Sequence, residues 1–434
     1  MMLDIQWMRE HQQDVQNAAD QKGIEISIQE VLSAYDERKA LRQDMDEKRA
    51  LRNRLSQEIG RAKAVSKALS DTAAAHMEQV REVNKKLQEQ EDALRMLDAK
   101  VNQLLLLVPN VVSPDSPIGK SDQDNVLLKQ VGAPPTFSFQ ARDHVELGAL
   151  HDMIDIPRGV KIAGTRHYVL KGVGVQLHRA VQQLAIDYLQ EQGFTLLDVP
   201  LMVRGEAMTN TAFFPLGQDQ TYQIGTEDKW LVGTSEVPLV SYYANEIVDV
   251  STPIRLAAAS SCFRSEVGSA GRDVYGLYRV HQFAKVEQVV LCEADPELSE
   301  AMLQQITRHA EHLLQLLELP YQQMAVCTGD MSQKTYKQYD LETWMPSRAC
   351  YGETHSSSNL HDFQARRAEI RYRDQAGKLK YCHTLNNTAV ATPRILIPLL
   401  ENHQQEDGSI RIPSALQRYM NGMKELTPAK TEGE

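Results

Sequence analysis

The sequence has little cysteine, and none of it is closely paired. Five cysteines are scattered over 434 residues, with no C-x-x-C spacing and an odd total. This pattern disfavours a disulfide framework and a cysteine-based zinc site, so no zinc is expected. It indicates reduced thiols and a cytoplasmic protein. The five are Cys262, Cys292, Cys327, Cys350 and Cys382.

Long apolar stretches are also missing. The longest apolar run, Leu104–Val108, is far too short to cross a bilayer. The N-terminal stretch MMLDIQWMREHQQD is polar and charged, unlike a signal peptide. We therefore expect no membrane partner.

Basic charge and phosphate-binding loops are scarce as well. The formal net charge of −11 argues against general affinity for nucleic acid, and no DNA partner is expected, although a local basic patch stays compatible with RNA. The sequence contains no GxxxxGK[ST] phosphate loop and no GxGxxG dinucleotide turn. A nucleotide, if bound, must be bound in another way.

Proline is absent from Ile28 to Val108, and glycine occurs there once. Such a composition favours helix. In the second half, apolar residues recur every seven positions, with a second series three positions later that is interrupted by Gln90. The polar stretch Lys63–Asp71 is the expected reversal, which predicts an antiparallel two-helix coiled coil with arms on the order of 50 Å. The two series are Val80, Leu87, Leu94, Val101, Val108 and Val83, Leu97, Leu104.

Basic residues gather near the predicted tip of this hairpin. Seven of them face a single acid, Glu58, on a chain that is otherwise acidic. A solvated helix face and a contact with a phosphate backbone explain this run equally well, so the residues alone leave both open. The seven are Lys48, Arg49, Arg52, Arg54, Arg61, Lys63 and Lys67.

Three prolines and Gly119 mark residues 109–132 as a linker between an arm (1–108) and a second domain (133–434). In the second domain, apolar segments that indicate strands are joined by loops without regular βα alternation. We therefore predict an α+β fold, an antiparallel sheet flanked by helices, preceded by the coiled coil. The predicted strands include residues 195–203, 229–234, 288–294 and 368–374.

One stretch, CFRSEVGSAGRDVYGLYRVHQFAKVE, combines arginines, acids and glycines from Cys262 to Glu287. It predicts two strands with a glycine-rich connection, with Cys262, Arg264 and Glu266 on one face. Arginine can bind phosphate, a phenyl ring can stack on a base, and carboxylates can bind an amino group or Mg²⁺. For any single one of these residues, ion pairing across strands on a solvated sheet face is the better explanation.

This stretch resembles the second signature motif of class II aminoacyl-tRNA synthetases in its seryl form. VPNVVSPDSPIG, TSEVPL, YDLETWMP, SSSNLHDFQARR and HTLN followed by LLENHQQEDGSIRIP agree in the same order along nearly the whole chain. The chain is identified as a member of the seryl-tRNA synthetase family. The resemblance implies a homodimer that forms seryl-adenylate from ATP, Mg²⁺ and L-serine, with a coiled coil along the variable arm of serine tRNA. It leaves selenocysteine tRNA open as a further acceptor.

The resemblance also implies a role for each matching residue. The catalytic pair would be Arg264, which bridges the serine carboxylate and the ATP α-phosphate, and Arg394, which contacts the terminal phosphate. Serine would contact Thr234, Ser235, Glu236, Arg264, Glu287, Asn386 and Thr388. ATP would contact Arg264, Ser265, Glu266, Val280, Phe283, Glu353, Thr354, His355, Ser356 and Arg394. Mg²⁺ would be held, through ATP, by Glu353 and Ser356.

Two segments depart from the common bacterial pattern. GETHSSSN has His355 where many relatives have serine or threonine, and NNTAVATPR has Thr388 and Pro393 in place of a Gly- and Ser-rich segment. These motifs resemble organellar and eukaryotic branches. They keep open a specialised paralogue that serves another pathway or gives inhibitor resistance. A catalytically silent RNA-binding or scaffold homologue is the other alternative, which the intact arginines and acids disfavour.

Overall fold

The computed structural model describes residues 3–65, 71–267 and 274–428. The chain divides into two compact units. One, the arm unit, contains residues up to 20 together with 24–108, and the other, the sheet unit, contains residues 21–23 and everything from 109 onward. In the described ranges, no helix is long and apolar enough to cross a membrane.

The helices begin where capping residues are available. Asp143 forms a capping box with Glu146, and Asp295 accepts from the first turn of a helix whose N1 residue is Pro296. The helices are α1 Ile5–Glu10, α2 Gln12–Gln21, α3 Ile28–Val65, α4 Asp71–Leu107, α5 His144–Leu150, α6 Ile156–Ala163, α7 Gly172–Glu191, α8 Gly205–Asn210, α9 Glu236–Ser241, α10 Pro296–Leu316, α11 Phe363–Ala368, α12 Leu396–His403 and α13 Ser414–Gln417.

The arm unit contains the predicted helix hairpin. Ion pairs between α3 and α4 join Arg42 to Asp98 (2.7 Å) and Lys100 to Glu30 (3.0 Å), so residue numbers rise on one helix as they fall on the other. The antiparallel arrangement is therefore confirmed. The expected reversal at Lys63–Asp71 falls mostly on residues 66–70, which lie outside the described residues.

The predicted apolar seam lines this hairpin. Leu87 and Val101 of α4 are buried, as are Met45 and Leu55 of α3. At the polar interruption, Gln90 donates to Asp44, which is also paired with Lys48. Because Asp44 already faces Lys48, the amide enters the seam next to a charge pair instead of an apolar side chain.

Eight strands of the sheet unit build one large, mainly antiparallel sheet in the order β1-β9-β10-β11-β14-β8-β7-β4, in which β4 and β7 are parallel. The other described strands form two-stranded sheets, β2-β3, β5-β6, β12-β13 and β15-β16. This confirms the predicted fold class. The strands are β1 Val126–Val131, β2 Ile154–Asp155, β3 Val169–Leu170, β4 Thr195–Leu196, β5 Met202–Val203, β6 Trp230–Leu231, β7 Ile254–Phe263, β8 Gln282–Cys292, β9 Tyr321–Ala325, β10 Lys337–Met345, β11 Cys350–Asn359, β12 Arg371–Arg373, β13 Leu379–Tyr381, β14 His383–Thr392, β15 Ile410–Arg411 and β16 Glu425–Leu426.

The core of this unit lies between the sheet and helices α7 and α10. On α10, Leu303, Ile306, Ala310 and Leu313 follow the three-and-four spacing of one helix face, and all four are buried. Four of the five cysteines are also buried, and only Cys350 is partly exposed. A second apolar cluster, which includes Leu256, Ala258, Val289 and Leu291, covers part of the sheet's other face.

Several predicted strands are shorter than expected. Residues 195–203 form two separate two-residue strands, since Pro200 within them cannot donate to a ladder. Residues 368–374 begin in α11, which ends at Glu369 in a left-handed conformation (φ 53°), and only Arg371–Arg373 is extended. Residues 126–131 of the expected linker form β1, the edge strand of the sheet.

Candidate active site

Strands β7 and β8 position the first half of the site. They pair antiparallel, with Cys262 opposite Phe283. Strand β7 ends at Phe263, so the prediction that Cys262, Arg264 and Glu266 share one strand face is wrong. Glu266 instead adopts a left-handed backbone (φ 52°), which turns the chain out of the sheet before the loop. Residues 268–273 of that loop lie outside the described residues.

A cleft opens between these strands, β11 and β14, with about 530 Å³ of empty space that includes the part open to solvent. The cleft brings together eight of the predicted site residues, together with Tyr278, Arg279 and Lys285, to which the sequence analysis assigned no role. The eight are Arg264, Glu266, Val280, Phe283, Glu353, Thr354, Thr388 and Arg394.

Two guanidinium groups are held at the cleft by backbone carbonyls. Arg394 donates to the carbonyls of Tyr278 (3.0 Å) and Glu353 (3.1 Å), and it lies 4.4 Å from the centre of the Tyr278 ring. Arg264 donates to the carbonyl of Gly233 (3.3 Å) and lies 5.3 Å from the Phe283 ring. Both arginines are therefore oriented before any anion binds, as a preorganised site for a polyphosphate requires.

The strand β8 residue Glu287 is fully buried and lies at the centre of a second cluster. It accepts from Asn386 (3.0 Å), from Lys285 (2.6 Å) and, more weakly, from the Thr388 hydroxyl (3.5 Å). Residues 287 and 388 are direct partners across the β8–β14 ladder. The side-chain carbonyl of Asn386 is buried and has no hydrogen-bond partner in the described ranges, which leaves an acceptor for a ligand.

The TSE segment meets this cluster at the start of α9. Glu236 is buried, and its carboxylate accepts from Gln364 (2.7 Å) and from the ammonium group of Lys334. The backbone N–H of Glu236 donates to the Thr234 hydroxyl (3.2 Å). The hydroxyl of Ser235 is buried and lacks a partner among the residues that the structure describes.

Three predicted ATP contacts lie outside the cleft. The Ser265 hydroxyl donates to the carbonyl of Asp219 (2.7 Å) and so faces another segment. Ser356 bonds to Asp340. His355 is buried against the Thr354 hydroxyl (2.8 Å), and its burial lowers its pKa to about 3, so this ring is neutral near pH 7.

Carboxylates surround the region in which Mg²⁺ was expected. Burial raises the pKa of Asp340 and of Glu342, and the negative charge of Glu353 adds to both shifts. This negative potential suits a cation. Across the described residues no group of three or more metal-ligating side chains occurs, but Mg²⁺ commonly binds to one or two carboxylates plus substrate phosphates, which Glu353 at the cleft can satisfy.

The basic residues of the hairpin are described separately, in the arm unit. Lys48 is paired with Asp44, and Arg49 with Asp46 (3.2 Å) and Glu91 (3.5 Å). Within the described ranges, no carboxylate lies within 4.0 Å of the three remaining arginines, which are Arg52, Arg54 and Arg61. Nothing is described of the Lys63 side chain, and Lys67 lies outside the described residues.

Comparison with known proteins decides the family. Residues 2–112 match the seryl-tRNA synthetase N-terminal domain, and residues 221–403 match the tRNA synthetase class II core domain (G, H, P, S and T). The chain is 42% identical to the serine--tRNA ligase of Deinococcus radiodurans over 98% of its own length and 99% of the relative's. This chain belongs to the seryl-tRNA synthetase family. As a seryl-tRNA synthetase of class II, it is an aminoacyl-tRNA ligase.

Other relatives agree. The serine--tRNA ligase of Xanthomonas campestris is 41% identical over 98% of this chain and 100% of that protein. The crystal structure of seryl-tRNA synthetase from Pyrococcus horikoshii complexed with ATP superposes with a TM-score of 0.89 at 36% identity, covering 99% of this chain and 100% of that one. The cytoplasmic serine-tRNA ligase of Naegleria fowleri in complex with AMP gives 0.85 at 25% identity, with the same coverage.

Proposed function

We propose that this chain activates L-serine with ATP to form seryl-adenylate and then transfers the seryl group to serine tRNA. The observation that carries the proposal is the adjacency of two differently built parts of one site. The cleft presents Arg264 and Arg394, which suit phosphates, and Lys285 and Thr388 join it to the buried cluster around Glu287, which suits an amino acid.

The first step brings two anions together, because the serine carboxylate attacks the α-phosphate of ATP. Arg264 would neutralise this encounter, and Arg394 would stabilise charge that develops on the departing pyrophosphate. The orientation of both guanidinium groups by backbone carbonyls supports these roles. No side-chain base is required, since the serine carboxylate is already ionised near neutral pH. Phe283 would stack on the adenine, with Glu266 and Val280 beside the nucleotide.

The serine itself would be read by the buried cluster. Glu287 and Glu236 are acceptors for its ammonium group, alongside Thr234 and Ser235. Asn386 and Thr388 would bond to its hydroxyl, and the unpartnered Asn386 carbonyl supports this. A site built around a hydroxyl disfavours alanine strongly, because its polar groups are then left unpaired.

Magnesium ion would accompany ATP, with Glu353 and Ser356 as its protein contacts. Bound there, it would neutralise phosphate charge. Glu353 lies at the cleft, whereas the Ser356 side chain is engaged by Asp340, so Glu353 is the stronger candidate.

The remaining assignments concern partners. The arm would bind the backbone of serine tRNA through the basic residues near its tip, and selenocysteine tRNA is a further candidate acceptor. A homodimer is supported by edge strand β1, where Val126, Leu127 and Leu128 are each about half exposed on an open sheet edge. We place the domain boundary near Val108 and the enzyme in the cytoplasm, in keeping with its free thiols.

The test is ATP–pyrophosphate exchange with serine, alanine, threonine and glycine, followed by charging of serine tRNA. We expect exchange with serine and weak exchange with the others, because alanine and glycine lack the hydroxyl and threonine adds a methyl group beside Thr388. Absence of exchange with every amino acid would contradict the proposal and favour the silent homologue. Exchange without charging would favour the paralogue that supplies a different acceptor.

A further inference from the structure

A lysine that the mechanism above does not use lies inside the amino-acid site. Lys334 belongs to the segment between β9 and β10, and only 8% of its surface is exposed. Its ammonium nitrogen bonds to Oε1 of Glu236 and lies 4.1 Å from the centre of the Phe213 ring. A buried ammonium group is costly unless it is paired, so this contact is not incidental.

The backbone around Lys334 is held on both sides. The ammonium group of Lys22 donates to the carbonyls of Gln333 (3.2 Å) and Thr335 (2.6 Å). Asn110 donates from its side chain to the carbonyl of Lys334 (3.0 Å). All of these residues belong to the sheet unit. The root of the Lys334 side chain is therefore fixed, which fixes where its ammonium group can reach.

The partners of Glu236 are distributed unevenly between its two oxygens. Both Lys334 and Gln364 donate to Oε1, and Gln364 is itself held by the Thr384 hydroxyl (2.9 Å). In the part of the chain that the structure describes, no group donates to Oε2. One carboxylate oxygen is thus occupied by the protein, while the other stays available to a cationic ligand.

The balance of charges around Glu236 also suits a bound amino acid. Two carboxylates, Glu236 and Glu287, are matched by two ammonium groups, Lys334 and Lys285. Both carboxylates act on the charge of Lys334, and burial lowers its pKa. A zwitterionic amino acid is neutral overall, so its entry would leave this balance unchanged.

Resting on the function proposed above, we propose that Lys334 is a positioning residue for the amino-acid substrate. It pairs with Glu236 and orients its carboxylate, so that Oε2 can accept from the substrate's ammonium group. Without Lys334, the buried carboxylate would keep only the amide donor of Gln364 and would lose the charged partner that fixes its orientation.

The test compares Lys334→Met with wild type in ATP–pyrophosphate exchange. Methionine keeps the stem beside Phe213 and removes the charge. We expect KM for serine to rise about tenfold, about 1.4 kcal/mol, while KM for ATP and kcat at saturating serine stay within about twofold because the phosphate site is untouched.

The conservative variant Lys334→Arg should restore most of the serine affinity. A wild-type KM for serine in folded Lys334→Met would overturn the proposal, as would a loss confined to kcat. If the methionine variant does not fold, Lys334→Gln is measured in the same way. A wild-type KM for serine in that variant would also overturn the proposal. Absence of serine-dependent exchange in the wild-type enzyme would instead overturn the proposed function and this inference with it.

Discussion

Arg264 is held toward the cleft by a single backbone carbonyl and the face of Phe283. Replacing it with alanine should lower kcat for serine-dependent exchange by about 10²–10³-fold, as expected for loss of one preorganised donor at a charge-developing centre. Arg264→Lys should recover little, because an ammonium group cannot bridge two anions as a guanidinium fork does. Exchange kinetics at saturating serine measure the effect.

The matched control is Arg373→Ala. Arg373 is exposed on the small β12–β13 hairpin of the same unit and bonds to the carbonyl of Gly377 (3.2 Å). The Arg373→Ala variant should have the wild-type rate of serine-dependent ATP–pyrophosphate exchange. Near-wild-type exchange by Arg264→Ala would mean that the arginine has been given the wrong role.

Substitutions at Thr388 test whether this residue recognises the hydroxyl of serine. Thr388→Val keeps the shape and removes the hydroxyl, so kcat/KM for serine should fall about tenfold, the order of one lost hydrogen bond, while alanine is affected less. The preference for serine over alanine should shrink accordingly. Thr388→Ser keeps the hydroxyl and should retain that preference, and an unchanged preference in the valine variant would exclude Thr388 from this role.

At the scale of single residues, the sequence predicted the site residues that lie within one motif. It did not predict the residues that reach the site from distant parts of the chain. Arg264 and Glu287 belong to a recognisable stretch, and the structure brings them to the site. Lys334 and Gln364 converge on Glu236 from 98 and 128 residues away. No local spacing signals such a meeting, since only the folded sheet brings these loops together.

The arm hairpin is the element that the sequence predicted best. A seven-residue apolar repeat sustained along a helix specifies the seam directly, and burial of Leu87 and Val101 follows it. Short strands such as β5 and β6, with two residues each, were predicted too long. Their extent depends on pairing partners distant in sequence, and apolar runs alone do not define where pairing stops.

We expect three arginines of this hairpin to contribute to tRNA binding and not to formation of the adenylate. Changing Arg52, Arg54 and Arg61 together to glutamine should raise KM for tRNA in charging about tenfold or more and reduce the salt dependence by roughly one log-log unit per lost phosphate contact. Exchange should be unchanged. Charging kinetics between 50 and 200 mM salt measure both the KM for tRNA and its salt dependence, because affinity that comes from phosphate contacts falls steeply over this range.

Exposed arginines on the other helix provide the control. Arg81 and Arg95 of α4 are paired with nearby Glu78 (3.3 Å) and Asp92 (3.7 Å). Changing both to glutamine should alter charging less than the triple variant. Equal losses of charging and exchange in the triple variant would argue against a tRNA contact.

The stability of the whole sheet unit should depend on histidines whose pKa is lowered by burial. Burial lowers the pKa of His309 and His383 to about 4 and that of His361 to about 3, from an ordinary 6.5. Between these values the unfolded chain binds protons that the folded chain does not. The free energy of unfolding should therefore fall as pH drops from about 6.5 to 4, by up to about 1.4 kcal/mol per pH unit for each histidine.

Urea unfolding at pH 7 and pH 5 measures this dependence. His309→Gln removes one of these groups and should flatten the slope. His312→Gln changes an exposed histidine on the same helix and should not. Identical slopes in all three proteins would show that acid sensitivity arises elsewhere.

The burial of four of the five cysteines makes selective labelling of the remaining one, Cys350, feasible. Burial raises the pKa of Cys292 and Cys382 to about 12 and that of Cys262 as well, so their thiolates are scarce at neutral pH. Cys350 is the partly exposed one. It lies two residues after Arg348, whose guanidinium is 4.4 Å from the ring of Tyr278 at the cleft. A fluorophore attached through maleimide would thus label the natural chain beside this cleft, with no cysteine removed.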